Sequence, residues 1–440
     1  MKPNRPSDVS RREFLAQSGV ALTGATAGHL LSGEASAAEP PKHGGSYVGR
    51  SQAQPMPDVT FPTDKLGPPT GKKKRIAAIT TVWWKYSHAD DIVTKFIEGY
   101  CIAGRNHSPH CTVNGIYIEQ FPDRDIGRGM AARYGIPLYK TPAEALTLGG
   151  DELAVDGVLL IGEHGDYPLN EKGQKLYPRR RLFEEIVKVF RKSGRSVPVF
   201  NDKHLSYSWE NAKWMYDQSR ELEFPMMAGS SVPHGWRIPP LEFRTGIRLN
   251  DAIVVSRASF ESYGFHCLEF LQSFVERRRG GETGVKAVQA LSGEATLQAA
   301  KDKRWPAHLV PAAMRSVPES NRLRFDFDRL TRSTVFRIEY TDGFVGAVCL
   351  DFSSEFSFAA DVQGEPEPVS TYAALLKPQR DHFSFLCNHI ETMFRTGQPS
   401  YPVERTLLVT GILDALHDSK AAGGKRIETP QLAELKYDPV

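Results

Sequence analysis

The strongest constraint on the fold is the alternation of short apolar strands with amphipathic helices over 75–229. The apolar patterns predict strands at 75–81, 113–119, 155–162, 196–201 and 224–229. The connecting segments predict helices at 90–104, 125–135, 181–192 and 209–222, with a short one opening at Thr141-Pro142. Parallel neighbours in a sheet need crossover connections, which are usually helices. The sequence therefore predicts a Rossmann-like, doubly wound parallel α/β sheet.

From about Val232 onward, the pattern changes from strands that alternate with helices to strands in which apolar and polar residues alternate. The stretch "STVFRIEYTDGFVGAVCLDF" predicts two strands joined by a turn at 341–343. Two more strands and one long helix are predicted, at 251–256, 286–291 and 263–278. We expect an α+β domain with an open, mainly antiparallel sheet and helices on one face. The tail from about Arg380 predicts two helices that return to cover the first domain.

These patterns divide the chain into two globular domains, predicted at 75–232 and 233–440. A chain of 440 residues suits two domains of ordinary size. The preceding segment, 38–74, is rich in Pro, Gly and polar residues and predicts a linker or an extended arm.

The first 37 residues are typical of an export signal. Arg11 and Arg12 precede a weakly apolar run that ends in small residues at 35–37. This pattern predicts a twin-arginine signal with an A-x-A cleavage site, and the run is too short and too polar for a membrane span. We expect a periplasmic or otherwise exported protein, with the twin-arginine translocase as its partner during export.

Composition narrows the classes of partner and of covalent chemistry. The chain has 55 Lys and Arg against 52 Asp and Glu, a formal charge of +3, without a long basic run. Nucleic acid is therefore not an expected partner. The five cysteines are odd in number and lack a C-x-x-C pair, so buried free thiols are expected rather than a disulfide framework or a zinc knuckle.

The turn after the first strand contains no glycine, as "RIAAITTVWWKYSHADDIV" shows. A G-x-G-x-x-G loop at this place lets the backbone approach a pyrophosphate, whereas here the bulky Trp83 and Trp84 occupy it. Ser87 or His88 is expected to cap the following helix, which would leave N–H groups for an anion, and Lys85 could add positive charge. The two indoles either pack against neighbouring segments or stack on a ligand.

Polar residues also follow the third strand, where a doubly wound sheet binds its ligands. Glu163, His164 and Asp166 lie close together in "LIGEHGDY". They could bind a sugar, perform acid–base chemistry, or hold a divalent metal together with His204 or His234. A polar loop without a ligand is the alternative.

Two other strand ends carry single candidate residues. Glu119 follows the second strand, where an acidic residue usually binds the ribose hydroxyls of NAD. Lys203 follows a buried strand, where desolvation pulls a lysine toward neutrality and allows proton donation to a carbonyl oxygen. The alternative for this lysine is a simple ion pair with Asp202.

The fourth strand end resembles a known family. "NDKHL" is similar to the strand ending in Glu-Lys-Pro in the glucose-fructose oxidoreductase / inositol dehydrogenase / MocA (Gfo/Idh/MocA) family. "ESYGFHCLE" is similar to its Asp-x-Gly-x-His-x-x-Asp segment and aligns His266 with its active-site histidine. "DIGRGMAARYGIPLYKTPAEAL" and the carboxyl-terminal helix pair resemble further family segments, so the likeness runs over 75–419.

The resemblance implies an oxidoreductase that acts on a sugar or polyol with a tightly held NAD or NADP. It implies catalytic roles for Lys203 as proton donor or acceptor and for His266, helped by Glu261. The implied cofactor-binding residues are Thr80, Thr81, Lys85, Ser87, Glu119, Glu163 and Asp202. The implied substrate-binding residues are His164, Asp166, His204 and Arg237. A metal is not implied, and the open face of the second sheet suggests a substrate site or a homo-oligomer interface.

Two departures from the family pattern leave alternatives open. The glycine-rich loop is absent, and Ser262 replaces the acidic residue four positions before His266, although Glu261 stands beside it. The same fold could instead serve a lyase, isomerase or hydrolase on sugars, with a divalent metal as an alternative cofactor. A sugar-binding protein without catalysis is the third hypothesis.

Overall fold

The computed structural model describes residues 53–54, 63, 66, 71–257, 259–319, 325–353, 355–376 and 380–439. The predicted export signal and most of the predicted linker lie outside these described residues. Among the helices of the described part, none has the length and apolarity needed to span a bilayer.

The chain forms strands and helices in alternation, followed by a strand-rich second part. The strands are β1 Ala53–Gln54, β2 Lys74–Thr80, β3 Tyr100–Ile102, β4 Arg105–His107, β5 Cys111–Ile118, β6 Leu138–Tyr139, β7 Gly157–Ile161, β8 Val199–Asp202, β9 Met226–Gly229, β10 Trp236–Ile238, β11 Glu242–Phe243, β12 Leu249–Ser256, β13 Val285–Ser292, β14 Thr334–Tyr340, β15 Val345–Leu350, β16 Phe356–Val362, β17 Val369–Ala374 and β18 Ile427–Glu428. The helices are α1 His88–Glu98, α2 Gly127–Tyr134, α3 Pro142–Thr147, α4 Arg179–Ser193, α5 Trp209–Glu221, α6 Ser262–Val275, α7 Glu294–Lys301, α8 Val310–Ser316, α9 Asp381–Thr396, α10 Val403–Ala421 and α11 Pro430–Ala433.

The first sheet has six parallel strands in the order β6-β5-β2-β7-β8-β9. This is the 3-2-1-4-5-6 order of a dinucleotide-binding sheet, and the order reverses between β2 and β7. The predicted Rossmann-like fold is confirmed. Ligands of such sheets bind beyond the carboxyl ends of the strands, so the site is sought at that edge.

One predicted helix is shorter than its apolar pattern suggested. The sequence predicted a helix over 90–104, but α1 ends at Glu98 because Gly99 follows it with φ 80°. A hairpin of β3 and β4 takes the remaining residues. Tyr100 and Cys101, which extended the helical pattern, lie in β3 instead, where Tyr100 is buried and Cys101 is half-buried.

The second sheet has eight strands in the order β10-β17-β16-β12-β15-β14-β13-β18, antiparallel except for the β12–β15 pair. The predicted hairpin of β14 and β15 is confirmed. Helices cover both faces rather than one: along β12, Val254 packs in the core with α6, whereas Val255 packs in a separate core with Leu309 and Val310. The segment 294–316, which the sequence reading left unassigned, covers the second face.

The two tail helices join the sheets. Helix α9 places Leu386 and Ile390 in the core of the first sheet, as the sequence predicted. Helix α10 buries Leu407 in the core on the other face of that sheet and Leu408 against the second sheet. The predicted boundary near 232 falls between β9 and β10.

Candidate active site

A pocket of about 360 Å³ opens at the carboxyl edge of the first sheet, near the end of β8. A volume of this order suits one small molecule. Elements of both sheets contribute to its wall. The lining residues are Tyr86, His88, Glu163, His164, Lys203, Ser231, Val232, Arg257, Ser262, Tyr263, His266, Glu355, Phe356, Leu375, Arg380, His382 and Phe383.

Lys203 and His266 meet in this pocket. The Nζ atom of Lys203 lies 2.8 Å from Nε2 of His266 and also donates to the backbone oxygen of Ser262 at 3.3 Å. Lys203 has φ 68°, in the left-handed region that side chains rarely adopt, and its backbone N–H donates to the oxygen of Gly229 at 3.1 Å. Such a backbone position costs free energy and clusters at functional sites. The arrangement holds the ammonium group at the pocket wall.

The hydrogen bonds around His266 assign its tautomer. Burial lowers the pKa of His266 well below its usual value, and the charges of Lys203 and His88 lower it further, so the ring is neutral at pH 7. A protonated Lys203 can only donate, so Nε2 accepts its N–H and Nδ1 carries the ring proton. That N–H donates to Oγ of Ser230 at 2.6 Å, and the N–H of Val232 donates to the same oxygen at 3.0 Å.

A buried carboxylate lies between two cations behind Lys203. Glu163 Oε1 lies 3.5 Å from Nζ of Lys203, and its other oxygen accepts from the guanidinium of Arg179. Burial raises the pKa of Glu163, but the charges of Lys203 and Arg179 outweigh that effect and hold the pKa well below its usual value. Glu163 is therefore ionised at pH 7 and balances part of the charge of both cations.

A second pair in the pocket joins an imidazole to a carboxylate. Nδ1 of His88, the first residue of α1, lies 2.6 Å from Oδ2 of Asp202. A carboxylate in this position fixes the orientation of the ring and stabilises the imidazolium that forms when the other nitrogen takes a proton. The ring of His164 lies 5.2 Å from that of His88, and burial lowers the pKa of His164 to about 4. The His88–Asp202 pair therefore has the geometry of a general base.

Four of the residues predicted for catalysis or substrate binding lie outside the lining of the pocket. His204 is buried against Arg179, its Nδ1 donates to the backbone oxygen of Ser206 at 2.7 Å, and burial lowers its pKa well below the usual value. Glu261 accepts from the backbone N–H of Lys175 at 3.0 Å.

The other two residues lie further away. Asp166 is exposed, and its backbone binds the side chain of Gln120. Arg237 is buried in β10, where it binds Glu242 and backbone oxygens. The structure thus brings Lys203 and His266 together and leaves these side chains apart from them.

The crevice where the strand order reverses is bridged by the chain itself. Thr81 is fully buried; its N–H donates to the oxygen of Ile161 at 3.2 Å and its Oγ1 to the oxygen of Glu163 at 2.8 Å. Thr80 is also fully buried, and its Oγ1 donates to the oxygen of Tyr117. The hydrogen bonds of both threonines therefore link the ends of β2, β5 and β7.

The two tryptophans of the turn pack against neighbouring residues, one of the two alternatives that the sequence left open. Trp83 is 0% exposed, and its backbone oxygen accepts from the N–H of Ile126 at 2.8 Å. A Cβ on Gly127 would lie 3.0 Å from the Cβ of Trp83, so the turn is in close contact with the start of α2. The guanidinium of Arg124 lies 3.7 Å from the ring centre of Trp84, over its face. A dinucleotide would have to displace these contacts.

Glu119, the acidic residue expected at the ribose of NAD, already binds two side chains of this protein. One carboxylate oxygen of Glu119 accepts from the hydroxyl of Tyr167 at 2.9 Å, and the other accepts from the guanidinium of Arg181. Tyr167 belongs to the loop after β7, which folds over this part of the sheet edge. Glu119 therefore ties the loop and α4 to the strand end.

Side chains in and beside the first turn of α1 likewise occupy the amino terminus of this helix. Ser87 caps the helix by accepting from the N–H of Asp90, as the sequence predicted. The carboxylate of Asp90 accepts from the N–H of Tyr86 at 2.8 Å and lies 3.1 Å from Nζ of Lys85. Asp91, also in the first turn, pairs with Arg380. Two buried carboxylates at this end oppose a pyrophosphate, so the residues present do not fit a dinucleotide in the usual position.

The geometry also bears on the metal alternative. Within the described part of the chain, one group of three His, Cys, Asp or Glu residues has ligand atoms within 4.8 Å of one another: Asp251, His308 and Asp361. That group lies on the second sheet. His234 packs against His389 with ring centres 4.6 Å apart, remote from Glu163. A metal held by Glu163 and His164 with His204 or His234 is not supported.

No family model matches this chain, and none of the curated proteins matches it. Solved structures do share its fold. The chain is similar to GenD2 from gentamicin A biosynthesis, solved in complex with NAD, at 14% identity, with 82% of this chain and 98% of that chain covered and a TM-score of 0.49. It is similar to scyllo-inositol dehydrogenase from Lactobacillus casei at 8% identity, with 81% and 98% covered and a TM-score of 0.49.

A third similar structure is the WlbA dehydrogenase from Bordetella pertussis, solved with NADH and UDP-GlcNAcA, at 13% identity, with 82% and 99% covered and a TM-score of 0.45. These likenesses concern the fold alone, which the strand order establishes independently. The ligands belong to those proteins. NAD or NADP therefore stays a prediction for this chain, as does membership of the Gfo/Idh/MocA family.

Sequence reasoning missed three residues that the structure places at the site. Arg179 and Ser230 lacked any motif, and His88 was considered only as a helix cap. A usable signal existed for His88, because a first-turn residue after β2 must lie at the sheet edge that also holds the end of β8. No sequence pattern predicted a role for Arg179, which reaches the site from the start of α4.

Proposed function

We propose that the protein is an enzyme that acts on a sugar or polyol by acid–base chemistry in the pocket at the end of β8. The observation that carries the proposal is the 2.8 Å contact between Lys203 and His266, beside a histidine whose ring is oriented by Asp202. An acid and a base of different type thus face one cavity. This is the arrangement that proton transfer to and from a single small molecule requires.

Lys203 is the proposed proton donor or acceptor at the reacting oxygen of the substrate. His266 accepts one N–H of the ammonium group and so fixes the direction of the others. The neutral ring of His266 adds no repulsion to the charge of Lys203. Glu163, 3.5 Å from Nζ, balances part of the buried charge of Lys203.

His88 is the proposed base that removes a proton from carbon. Its Nδ1 is bound to Asp202, so the remaining nitrogen, Nε2, is the one available to a substrate. Removal of a C–H proton next to a carbonyl group leaves negative charge on the carbonyl oxygen. The Lys203 ammonium would donate its proton there, which completes an enolisation without a redox partner.

The pocket wall favours a ring with both polar and apolar faces. Tyr263 and Phe356 stack on each other with ring centres 5.6 Å apart, and both line the cavity together with Phe383. Aromatic rings of this kind pack against the C–H face of a sugar, whereas the lysine and the imidazoles bind its oxygens. A monosaccharide derivative with a carbonyl group is the substrate that fits both features.

These residues favour an isomerase or a lyase over a hydrolase. Hydrolysis of a glycoside by two carboxyl groups needs one of them protonated. Glu163 lines the pocket, but the neighbouring cations hold its pKa well below the usual value, so it is not available as the acid. Enolisation, by contrast, does not require a protonated carboxyl group.

A nicotinamide-dependent oxidoreductase is the second candidate. The strand order of the first sheet favours it, because this order recurs in dinucleotide-binding folds. Three observations oppose a nicotinamide-dependent enzyme: the hydrogen bonds of Thr81, the burial of Trp83, and the contacts of Glu119 with Tyr167 and Arg181. An exported enzyme would also have to carry its cofactor from the cytoplasm, where folding before twin-arginine export allows loading. We propose export on the basis of the amino-terminal sequence.

Two measurements on the full-length protein separate the candidates. The first is an assay for nicotinamide in the supernatant after denaturation of the purified protein. The second is incubation with a panel of ketoses, aldoses and uronic acids in D₂O, followed by ¹H NMR. Acid–base catalysis predicts loss of a C–H signal next to a carbonyl as deuterium enters, at a rate at least about 100-fold above that with a His88→Gln variant.

The outcomes differ for each hypothesis. Deuterium exchange without bound nicotinamide supports the isomerase or lyase. Stoichiometric nicotinamide without exchange supports the oxidoreductase and overturns the first proposal. If neither is found, and sugars nevertheless protect the protein against thermal unfolding, the pocket belongs to a binding protein.

A further inference from the structure

A buried carboxyl group that the proposed chemistry does not use lies directly behind the Lys203–His266 pair. Glu269 is on α6, three residues after His266, so the two side chains lie on the same side of the helix. Glu269 is 1% exposed, and its Oε1 has no hydrogen-bond partner among the described residues. A buried polar atom without a partner is costly and calls for a functional explanation.

Glu269 packs against the short segment that anchors both groups of the site. A Cβ on Gly229 would lie 2.8 Å from Oε2 of Glu269. The oxygen of Gly229 accepts from the N–H of Lys203, and Oγ of Ser230 accepts from Nδ1 of His266. The N–H of Ser230, the next residue, is close enough to Glu269 to lower the pKa of its carboxyl group. One carboxyl group therefore supports the backbone from which both Lys203 and His266 are positioned.

The surroundings of Glu269 leave it without a counter-ion of its own. Arg405 of α10 is the nearby cation, but its guanidinium binds both oxygens of Glu276 at the end of α6. The remaining neighbours are the hydroxyls of Thr406 and Tyr401. Burial raises the pKa of Glu269 to about 7, although Arg405, Thr406 and the N–H of Ser230 lower it in part.

We propose that Glu269 is a positioning residue whose protonation state sets the geometry of the Ser230–His266–Lys203 hydrogen bonds. The ionised form accepts the N–H of Ser230 strongly, whereas the protonated form accepts it weakly and releases the segment. The inference deepens the proposed function, because it concerns the same site and supplies its pH response. It does not require that the substrate be known.

The test follows the imidazole of His266 by NMR in protein labelled with ¹⁵N-histidine. A His266→Gln variant assigns the signal. Between about pH 5.5 and pH 8.5, the wild-type Nδ1 and Nε2 shifts are expected to change with a midpoint near the Glu269 pKa of about 7, without the large shift that ring protonation causes. The Glu269→Gln variant is expected to lack this midpoint.

Two controls isolate Glu269. Glu282→Gln removes another buried carboxyl, 3% exposed, beyond the end of α6, and is expected to keep the midpoint. His88→Gln is the second control, because the His88 ring lies 6.4 Å from that of His266. A midpoint that persists in Glu269→Gln, or that vanishes in His88→Gln, would overturn the proposal.

A second measurement remains informative if the Glu269→Gln signals are poor. The native state holds the Glu269 proton more tightly than the unfolded state, so wild-type stability falls as the pH rises from about 4.5 to about 7. The melting temperature of Glu269→Gln minus that of wild type is therefore expected to increase as the pH rises over this range. Equal pH dependence of the two proteins would contradict the role of Glu269. A positive NMR result without any deuterium exchange would leave this inference standing and reject the proposed reaction.

Discussion

The carboxyl edge of the parallel sheet carries two regions with opposite properties. Between β2 and β7, where a doubly wound sheet usually binds its ligand, Thr81 and Trp83 close the crevice with bonds and buried surface. At the end of β8, Lys203 adopts a left-handed backbone conformation and faces a cavity with His266. A sheet can retain its strand order while its loops decide which part of the edge stays open, because binding sites depend on loop residues rather than on the sheet.

The largest expected effect concerns the open region. Replacement of Lys203 by methionine removes the proposed acid but retains much of the side-chain volume. We expect turnover on the substrate found by deuterium exchange to fall by about 10²–10⁴-fold. Steady-state kinetics measures the loss. The exposed Lys213→Met serves as the matched control and should retain activity, whereas a Lys203→Met variant with more than half of the wild-type rate would reject the role of this residue.

In the closed region between β2 and β7, we expect substitutions to lower the free energy of unfolding rather than the catalytic activity. Trp83→Ala removes a fully buried indole, and we expect a loss of about 3–5 kcal/mol in the free energy of unfolding. Chemical denaturation measures it. Trp84→Ala loses mainly the contact with Arg124, about 0.5–1 kcal/mol, and is the control. Nicotinamide binding that appears in wild type and disappears in Trp84→Ala would show that the crevice is a ligand site after all.

Glu163 lies between the two regions and links stability to pH. Glu163→Gln leaves Arg179 and Lys203 without their shared carboxylate, so we expect a loss of about 3–5 kcal/mol at pH 7. The pKa of Glu163 is lowered in the native state, so its stabilisation is present above the ordinary value of 4.5 and is lost as the pH falls. Urea unfolding should therefore show the two proteins converging below about pH 4.5. A constant difference down to about pH 3 would contradict the assigned charge state.

The smallest expected effect is at Glu119. Its partner Arg181 is largely exposed, so Glu119→Gln should cost at most about 1 kcal/mol. If the crevice is not used, turnover and substrate affinity should match those of wild type. A nicotinamide-dependent enzyme would instead lose cofactor affinity in this variant, which sharpens the difference between the two regions.

The sequence by itself determined the parallel sheet and the hairpin of β14 and β15. It also singled out Lys203 and His266, whose side chains meet in the structure, while their catalytic role stays a prediction. These features depend on local patterns: apolar runs of strand and helix length, turn residues, and single polar residues that follow buried strands. The absence of glycine from the first turn also indicated correctly that this turn is unlike a pyrophosphate loop.

Only the tertiary structure decided which polar side chains meet. Arg179 and Ser230 are distant in sequence from His266, and their contacts with the site depend on how α4 and α6 pack on the sheet edge. Tertiary packing also placed His204 and Arg237, two of the residues predicted to bind substrate, outside the cavity. The physical reason is that pairing between distant side chains is set by the packing of whole elements, which no short window of sequence contains.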